Sequence, residues 1–558
     1  MLANEKLIEL KGLVQKYSRE ELIWTSGYLA GIIENFQNQP ASDPEFKEDI
    51  KEAPPVKPTI IYGTETGNSK KLALQLQSLL KKNKIQSKVY DTFQYPVDKI
   101  EKEEFLLIIM STQGEGEPPQ NALKFFDMLA NSTVILSQTR FAVFGLGDSS
   151  YPLFCKAAEE IELLLARLGA QPAKELQKAD VDYVPVAEAW FAELLPLLKS
   201  SGKIPAPENK LTKGGESSIK KNYLGTLKHK IVLNDKGSNK ETYHIEIVPQ
   251  EEVAYEPGDA VGIYPANNLS EVKEIARLLQ AEERFEELLE KNIRGLTRKS
   301  LTRIPAFKGL EIEEEKLDLL DVLKKYSPEG NLSFDEILDH LYAISPRLYS
   351  VTSSSEAHDG EVHLAVTLDT FTVDNLPRTG WCSQYLADYP KDEILPFYIH
   401  KNRNFKLPAE DKDIIMIGPG TGIAPFRSFL AHRDATGAEG RNWLFFGEQH
   451  FVSDFYFQTE IQEWLSNGVL TRLDTAFSRD QDEKIYVQDR LKEKSRELYD
   501  WISGGAYLYI CGQKHPMSIE VENTLAAIIA EEGKMSREEA HSILEALELE
   551  GRFQKDVY

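Results

Sequence analysis

Residues 414–427 read Ile-Ile-Met-Ile-Gly-Pro-Gly-Thr-Gly-Ile-Ala-Pro-Phe-Arg, the most specific local pattern in the chain. Four apolar residues run directly into a glycine-rich turn, and helix-forming sequence follows. In a strand–turn–helix of this kind the backbone amides approach a pyrophosphate closely, at the positive end of the helix dipole. The glycine spacing differs from the ordinary G-x-G-x-x-G pattern. We predict a nucleotide-binding turn at Gly420, Thr421 and Gly422, with a purely structural turn as the alternative.

Apolar runs of strand type recur on both sides of this turn and alternate with helical patterns. They are Thr59–Tyr62, Phe105–Met110, Phe141–Phe144, Trp443–Phe446, Leu470–Ala476 and Ala506–Cys511. Strands that alternate with helices predict parallel sheets covered on both faces. We therefore expect two doubly wound α/β domains.

The middle of the chain has a different pattern. Residues 223–265 and 341–407 carry short runs of β-type residues with turn signals such as Pro257-Gly258-Asp259, which predict an antiparallel β-barrel. Leucine- and glutamate-rich sequence of mostly helical type interrupts the barrel over about residues 266–340. The sequence thus predicts a barrel with a helical insert.

Composition shifts place the domain boundaries, with linkers rich in proline, glycine, serine or charge. We predict a helical segment over 1–37, a linker over 38–58, an α/β domain over 59–199, a flexible linker over 200–222, the barrel over 223–410 and a second α/β domain over 411–558. The short helical segment cannot bury its apolar face on itself. This apolar face could be covered either by self-association of the chain or by packing against the next domain, and the sequence leaves both alternatives open.

Charge and cysteine content exclude several classes of protein. The 558 residues include 65 Lys+Arg and 89 Asp+Glu, a formal charge of −24, which argues against a nucleic-acid binder. Three cysteines are too few for a disulfide framework, and no metal-ligand spacing is visible. We see neither a signal peptide nor an apolar run of about 20 residues. We expect a cytoplasmic multidomain protein.

Three polar loops follow strands of the first α/β domain, where open parallel sheets bind ligands. The first lacks the Lys-Ser/Thr pair of a Walker loop, which predicts a single phosphate without Mg²⁺. Tyr151 suits stacking on a flat ring, although a packed loop tyrosine is the alternative. The loops comprise Thr64, Glu65, Thr66, Gly67, Asn68 and Ser69; Ser111, Thr112, Gln113 and Gly114; and Leu146, Gly147, Asp148, Ser149, Ser150, Tyr151, Pro152, Leu153, Phe154 and Cys155.

Further polar motifs occur in the barrel and the second α/β domain. Arg347-Leu348-Tyr349-Ser350 offers a guanidinium for a pyrophosphate and a ring for stacking, and Gly380-Trp381-Cys382-Ser383 precedes a helix. Arg479 and Lys484 suit a 2′-phosphate, because a free ribose hydroxyl would favour an acid, and they indicate NADPH over NADH. Ordinary surface charge is the alternative for each cation. The last motif comprises Ser478, Arg479, Lys484, Ile485, Tyr486, Val487 and Gln488.

Taken together, the three loops resemble the FMN-binding loops of flavodoxin-like domains, and the later motifs resemble the FAD and NADPH motifs of the ferredoxin–NADP reductase family. The domain order over residues 59–558 resembles that of the diflavin reductases. The segment Trp24–Tyr28 and the ending Gly551–Tyr558 are most similar to the diflavin reductases of assimilatory sulfite reduction. The resemblance implies a flavodoxin-like domain followed by a reductase module of barrel and NADP domain.

The resemblance also implies site residues. The three loops would bind FMN, and the Gly420 turn with the Ser478–Gln488 motif and Glu520 would bind NADPH. FAD would contact Arg347–Ser350, Gly380–Ser383, Ala365, Val366, Thr367, Phe371 and Tyr558. Ser350, Cys511, Asp556 and Tyr558 would line the hydride-transfer site, with Tyr558 over the flavin ring.

The implied activity passes electrons from NADPH to FAD, then to FMN, and then to a haem-type acceptor. That acceptor would be a separate sirohaem subunit that reduces sulfite to hydrogen sulfide. Acidic side chains near the FMN loops, such as Asp148 and Asp182, would suit docking of a basic electron acceptor, with an ordinary solvated face as the alternative for each of them. A homo-oligomer through the N-terminal segment is expected. Two alternatives are open: a stand-alone soluble NADPH–cytochrome reductase with another acceptor, and a non-catalytic binding protein with decayed sites.

Overall fold

The computed structural model describes residues 56–114, 116–199, 221–312, 314, 316–326, 332–373 and 376–558. All of them fall in one compact unit, Pro55–Tyr558. The predicted helical segment 1–37 and most of the predicted linkers 38–58 and 200–222 lie outside the described residues.

The first region is a parallel sheet with apolar cores on both faces. Its strands are β1 (Thr59–Gly63), β2 (Lys88–Asp91), β3 (Phe105–Ser111), β4 (Arg140–Leu146), β5 (Gln171–Pro172) and β6 (Gln177–Ala179). The order is β2-β1-β3-β4-β5, with β6 also paired to β4, and every pairing is parallel. The covering helices are α1 (Asn68–Lys82), α2 (Leu123–Ala130), α3 (Lys156–Arg167) and α4 (Val184–Lys199). Because β3 is buried on both faces, its sequence is apolar throughout.

The second region is an antiparallel barrel. Its strands and those of its insert are β7 (Asn222–Val232), β8 (Thr242–Pro249), β9 (Ala260–Ile263), β10 (Leu296–Thr297), β11 (Lys316–Leu317), β12 (Arg347–Ser350), β13 (Val362–Thr367), β14 (Thr370–Val373), β15 (Leu376–Thr379) and β16 (Ile394–His400). The main sheet runs β12-β9-β16-β7-β8-β13, and a bridge between Val351 and Leu364 joins its two edge strands into a barrel.

A helical insert separates β9 from β12. It contains α5 (Leu269–Leu278), α6 (Arg298–Arg303), α7 (Leu319–Lys325) and α8 (Phe334–His340), and α9 (Trp381–Asp388) follows later beside the barrel. The insert has its own apolar core. An ion pair of 2.7 Å between Arg378 of β15 and Asp321 of α7 ties the insert to the barrel hairpin.

The third region is a second parallel sheet, ordered β19-β18-β17-β20-β21. Its strands are β17 (Ile414–Ile417), β18 (Asn442–Glu448), β19 (Arg472–Phe477), β20 (Tyr507–Gly512) and β21 (Phe553–Val557). Its helices are α10 (Ala424–Thr436), α11 (Phe451–Asp454), α12 (Gln458–Asn467), α13 (Val487–Glu493), α14 (Ser495–Ser503), α15 (Ile519–Glu532) and α16 (Arg537–Leu549).

The two parallel sheets and the antiparallel barrel with its insert confirm the predicted fold class. Several predicted edges were wrong, among them Ala506, which precedes β20. Leu470 does not belong to a strand, because its amide donates to the carbonyl of Trp464 at 2.8 Å and so closes the end of α12. Asn222, assigned to the linker, is the first residue of β7 and pairs with Tyr398. Within the described ranges, no helix combines the length and apolarity needed to cross a bilayer.

Candidate active site

The loop between β1 and α1 has the features of a phosphate cradle. The hydroxyl of Thr64 accepts a hydrogen bond from the Gly67 amide at 2.9 Å. Gly67 has φ +89°, a left-handed conformation that favours glycine, and α1 begins at the next residue. The hydroxyl of Ser69 is fully buried and has no hydrogen-bond partner among the described residues. A buried hydroxyl that lacks a hydrogen-bond partner at a helix N-terminus is suited to bind an anionic phosphate.

The loops after β3 and β4 lie at the same edge of this sheet and are held by internal hydrogen bonds. Ser111 donates to the carbonyl of Gly63 at 3.3 Å, and the Thr112 hydroxyl accepts from the Ala157 amide at 3.2 Å. The Ser150 amide donates to Asp148 at 2.8 Å. The same edge carries the other predicted residues of these loops: Glu65, Thr66, Asn68, Gln113, Gly114, Leu146, Gly147, Ser149, Tyr151, Pro152, Leu153, Phe154 and Cys155.

On the barrel, the four residues Arg347, Leu348, Tyr349 and Ser350 form β12. Arg347 and Leu348 are exposed, whereas burial raises the pKa of Tyr349 well above its ordinary value. Gly380 caps α9, where a Cβ atom would lie 2.9 Å from both Asp369 and Ser383. The remaining predicted residues differ in exposure, with Ala365, Val366, Cys382 and Ser383 buried, Thr367 and Trp381 half-buried and Phe371 exposed.

The barrel and the second parallel sheet together form a polar cluster around Asp556. Ser350 donates a hydrogen bond to its carboxylate at 2.8 Å, and Asn402 donates to the other oxygen at 3.4 Å. The Cys511 thiol lies 4.0 Å from the same carboxylate, since Cys511 and Asp556 are register partners on β20 and β21. Burial raises the pKa values of both Asp556 and Cys511. Three of the four residues predicted for hydride transfer are therefore brought into contact.

A cleft of about 570 Å³ opens beside this cluster. Tyr558 lies at its wall, with its hydroxyl 2.7 Å from the Thr421 hydroxyl. The predicted residues that line the cleft are Thr367, Gly420, Thr421, Ser478, Arg479, Lys484, Tyr486, Val487, Gln488, Glu520 and Tyr558, whereas Ile485 packs against the apolar core beneath.

The turn of the cleft is shaped by a glycine. A Cβ atom on Gly422 would lie 2.1 Å from the carbonyl oxygen of Cys511, so the turn packs directly on β20. This close approach leaves room for a dinucleotide above the turn. Arg479 and Lys484 are exposed at the cleft, where their charges are available to a phosphate. The Gln488 side chain donates to Glu520 at 2.8 Å.

The loop edge of the first sheet faces the barrel. The Tyr151 hydroxyl donates to the carbonyl of Pro346 at 3.3 Å, directly before β12. Asp148 lies 3.4 Å from His400, and Asp182 pairs with Arg403 at 2.8 Å. Asp148 and Asp182, which we considered as docking residues for an external acceptor, therefore contact basic groups of the same chain.

Residues absent from the sequence prediction also make contacts at the proposed sites. Lys240, before β8, pairs with the buried Glu448 at 2.5 Å, and both line the cleft. Lys514 pairs with Glu65 of the first loop. Glu448 ends a strand beside the Gly420 turn and could have been found from that position, but nothing local in the sequence marks Lys240 or Lys514.

Comparisons with known proteins agree with this arrangement. Family models match as "Flavodoxin" over residues 60–190, "FAD binding domain" over 297–385 and "Oxidoreductase NAD-binding domain" over 416–522. The chain is similar to proteins named sulfite reductase (NADPH) flavoprotein alpha-component. It is 37% identical to the one from Bacillus subtilis, 36% to that from Photorhabdus laumondii and 35% to that from Klebsiella pneumoniae, in each case covering 100% of this chain and 98% of the relative.

Proposed function

The chain belongs to the family of the sulfite reductase (NADPH) flavoprotein alpha-component, and on that premise we propose that it is an NADPH-dependent diflavin reductase that supplies a haem-containing sulfite reductase subunit. Its cofactors are FMN and FAD, with NADPH as the donor. The redox chemistry would be supplied by the bound cofactors, with hydride acceptance at FAD and transfer of single electrons at FMN. The protein positions the cofactors, excludes water from them and places charged groups beside them.

One observation carries this proposal: the bond between Tyr151 and Pro346. It brings the loop edge of the flavodoxin-like sheet, where FMN would bind, against the strand β12, where FAD would bind. Electrons can pass between two flavins only when their sites face each other closely. The contact supports a serial path, with NADPH entering at the cleft lined by the Gly420 turn and Tyr558.

The cluster around Asp556 supports the hydride step. The Ser350 hydroxyl donates to the carboxylate of Asp556 and so holds it beside the cleft. A carboxylate in this buried position stabilises the positive charge that develops on nicotinamide as hydride leaves. Arg479 and Lys484 would bind the 2′-phosphate, and Tyr558 would move aside to admit nicotinamide.

The partner, assembly and location follow as further parts of the proposal. The sirohaem subunit of sulfite reductase is the proposed acceptor, a homo-oligomer through residues 1–37 is the proposed assembly, and the cytoplasm is the proposed location. We also propose the domain boundaries given from the sequence, with the barrel beginning at Asn222, the first residue of β7.

The proposal is tested by mixing purified protein, loaded with both flavins, with the candidate sirohaem subunit, NADPH and sulfite. We expect NADPH oxidation coupled to sulfide formation, with one FMN and one FAD per chain. Asp556→Asn should lower the rate at least tenfold. Extraction of a single kind of flavin would overturn the serial path. Reduction of cytochrome c without any sulfide formation would favour the stand-alone reductase instead.

A further inference from the structure

His400 lies where the barrel meets the two parallel sheets. It is the last residue of β16 and pairs in register with Ala260 of β9, and Ala260 pairs in turn with Ser350 of β12. Side chains that lie directly opposite each other on neighbouring strands share one face of the sheet. The imidazole of His400 therefore lies on the same face as the Ser350 hydroxyl, with the small side chain of Ala260 between them.

Two carboxyl groups from the parallel sheets lie beside this imidazole. On one side, the Nδ1 atom of His400 lies 3.4 Å from a carboxylate oxygen of Asp148, and the two side chains are only 16% and 14% exposed, so the pair is shielded from solvent. On the other side, Ser350 donates to Asp556, and the charge of His400 lowers the pKa of Asp556 against the larger effect of burial. One imidazole thus serves an acid of the flavodoxin-like sheet and an acid of the hydride-transfer site.

The other titratable groups around this imidazole differ from it in chemistry. Four thiol and phenol groups stay neutral near neutral pH because burial raises their pKa values, and they are Tyr151, Tyr264, Tyr398 and Cys511. Lys406 and Lys401 pair with the buried Asp259 at 2.6 and 3.1 Å, and the charge of Lys406 also favours the ionised form of Asp556. Histidine is the side chain whose charge changes between about pH 5 and 8. His400 is therefore suited to give both carboxylates a counter-charge that depends on pH.

We propose that His400 is a positioning residue for two sites: as an imidazolium it holds the FMN loop against the barrel through Asp148, and it keeps Asp556 ionised for the hydride step. Ser350 orients the Asp556 carboxylate through a hydrogen bond, whereas His400 acts on it through charge. The inference rests on the proposed function, because Asp556 has this role only if a nicotinamide gives up hydride beside it.

The effect on the FMN loop is tested by amide hydrogen exchange of residues 148–151 at pH 6, in protein loaded with both flavins. The amides of Ser150 and Tyr151 donate to the side chain and the carbonyl of Asp148 at 2.8 and 3.0 Å, so their exchange reports on this loop. In His400→Gln, which stays polar but carries no charge, we expect exchange two- to fivefold faster, since one modest ion pair is lost. Asp148→Asn should give the same increase, and the double variant should add nothing further.

The effect on Asp556 is tested by stopped-flow reduction of the flavin by NADPH between pH 6 and 8.5. His400→Gln should be two- to fivefold slower than the native protein at pH 6, because a carboxyl that loses a nearby positive charge ionises less readily. Near pH 8.5, where histidine side chains are neutral, the two should react at the same rate. His400→Lys, which keeps a positive charge, should restore native exchange and the native rate at pH 6.

His432→Gln is the matched control, since it removes another half-buried imidazole, which pairs with Glu356 at 3.1 Å on α10. It should behave like the native protein in both measurements. Native exchange and a native pH profile in His400→Gln would refute the proposal, and so would a change in only one of them, because the role is shared.

Flavin content and melting temperature are measured in the same samples. If His400→Gln does not fold or load, His400→Lys is compared with Asp148→Asn instead, and equally fast exchange in these two variants would refute the role of charge. Failure of NADPH to reduce the flavins of the native protein would count against the proposed function, whereas native behaviour of His400→Gln counts against this inference alone.

Discussion

At the scale of single residues, the choice of nucleotide rests on two cations at the cleft. Arg479 and Lys484 are exposed beside the turn at Gly420. Hydrogen bonds to charged groups contribute about 1.5–3 kcal/mol each. Arg479→Ala combined with Lys484→Ala should therefore raise KM for NADPH at least tenfold and leave KM for NADH within about twofold. Steady-state kinetics with both nucleotides check this, and equal losses would refute the assignment to the 2′-phosphate.

Asp556 should give hydride transfer a pH dependence. Burial raises the pKa of its carboxyl, and the Ser350 hydroxyl offsets part of the rise. The carboxylate form stabilises the positive nicotinamide, so flavin reduction should become faster as pH rises through this elevated pKa. Asp556→Asn should be slow at every pH. Stopped-flow reduction by NADPH measures the profile, and an unchanged profile in Asp556→Asn would remove Asp556 from the step.

The same shift has a consequence for stability. A carboxyl whose folded pKa lies above its unfolded value of about 3.9 binds protons more tightly when folded. It therefore costs stability as pH rises from the unfolded pKa through the folded one. Asp556→Asn, which cannot ionise, should melt at a higher temperature than the native protein above that window.

At the scale of elements, the turn between β17 and α10 allows no side chain at Gly422. A Cβ atom there would lie 2.1 Å from the Cys511 carbonyl of β20, and backbone cannot give way cheaply. Gly422→Ala should cost about 1–3 kcal/mol of stability and lower NADP⁺ affinity strongly. Gly437→Ala is the control, since Gly437 ends α10 in open space at φ +69°, so that alanine there costs about 1–2 kcal/mol of stability through backbone strain without touching the turn. Gly437→Ala should bind NADP⁺ with native affinity in a titration. Native affinity in Gly422→Ala would contradict the close packing of turn and strand.

Strands β8 and β13 bury two facing histidines. Burial and the Arg427 guanidinium lower the pKa of His244 to about 4 and that of His363 to about 2. Arg427 also lies 3.3 Å from the His363 ring, and its charge opposes a metal cation near these rings. A histidine with a depressed folded pKa supports the fold above its unfolded pKa of about 6.5 and loses that support as pH falls.

The protein should therefore lose stability between about pH 6.5 and pH 4. His363→Gln should flatten this loss, whereas His541→Gln, on the exposed surface of α16, should leave it unchanged. Thermal melting across this pH range tests the expectation. If the melting temperature of His363→Gln falls with pH as steeply as that of the native protein, other groups cause the acid sensitivity.

Sequence periodicity predicted the elements well where they are locally apolar. β3 and β17 were found because they are buried on both faces, and the glycine turn between β17 and α10 carries its own signature. The bridge from Val351 to Leu364 that closes the barrel could not be predicted, because it joins strands through tertiary packing. The roles of Lys240 and Lys514 could not be predicted for the same reason, because their partners Glu448 and Glu65 are distant in sequence.

At the scale of the whole molecule, the contact between the flavodoxin-like region and the rest is strongly electrostatic. Ion pairs cross it at Asp182–Arg403 and Lys70–Glu545, both 2.8 Å, and at Glu65–Lys514. The chain as a whole carries −24, so acidic residues that pair here are withdrawn from a repulsive surface. Asp182 therefore serves the reductase module in this arrangement and is free for a basic partner only after the contact opens.

Electron transfer between the flavins should then depend on salt, while hydride transfer at saturating NADPH should not. Raising ionic strength from about 0.05 to 0.5 M shortens the screening length from above 10 Å to about 4 Å and weakens these exposed pairs. We expect the transfer to FMN to slow two- to fivefold in stopped-flow spectra, and Asp182→Asn to show a smaller further effect of salt. Lys221→Ala, which breaks a pair with Glu251 within the barrel, should respond to salt like the native protein. A salt-independent transfer step would mean that the polar contact around Tyr151, rather than charge, holds the two regions together.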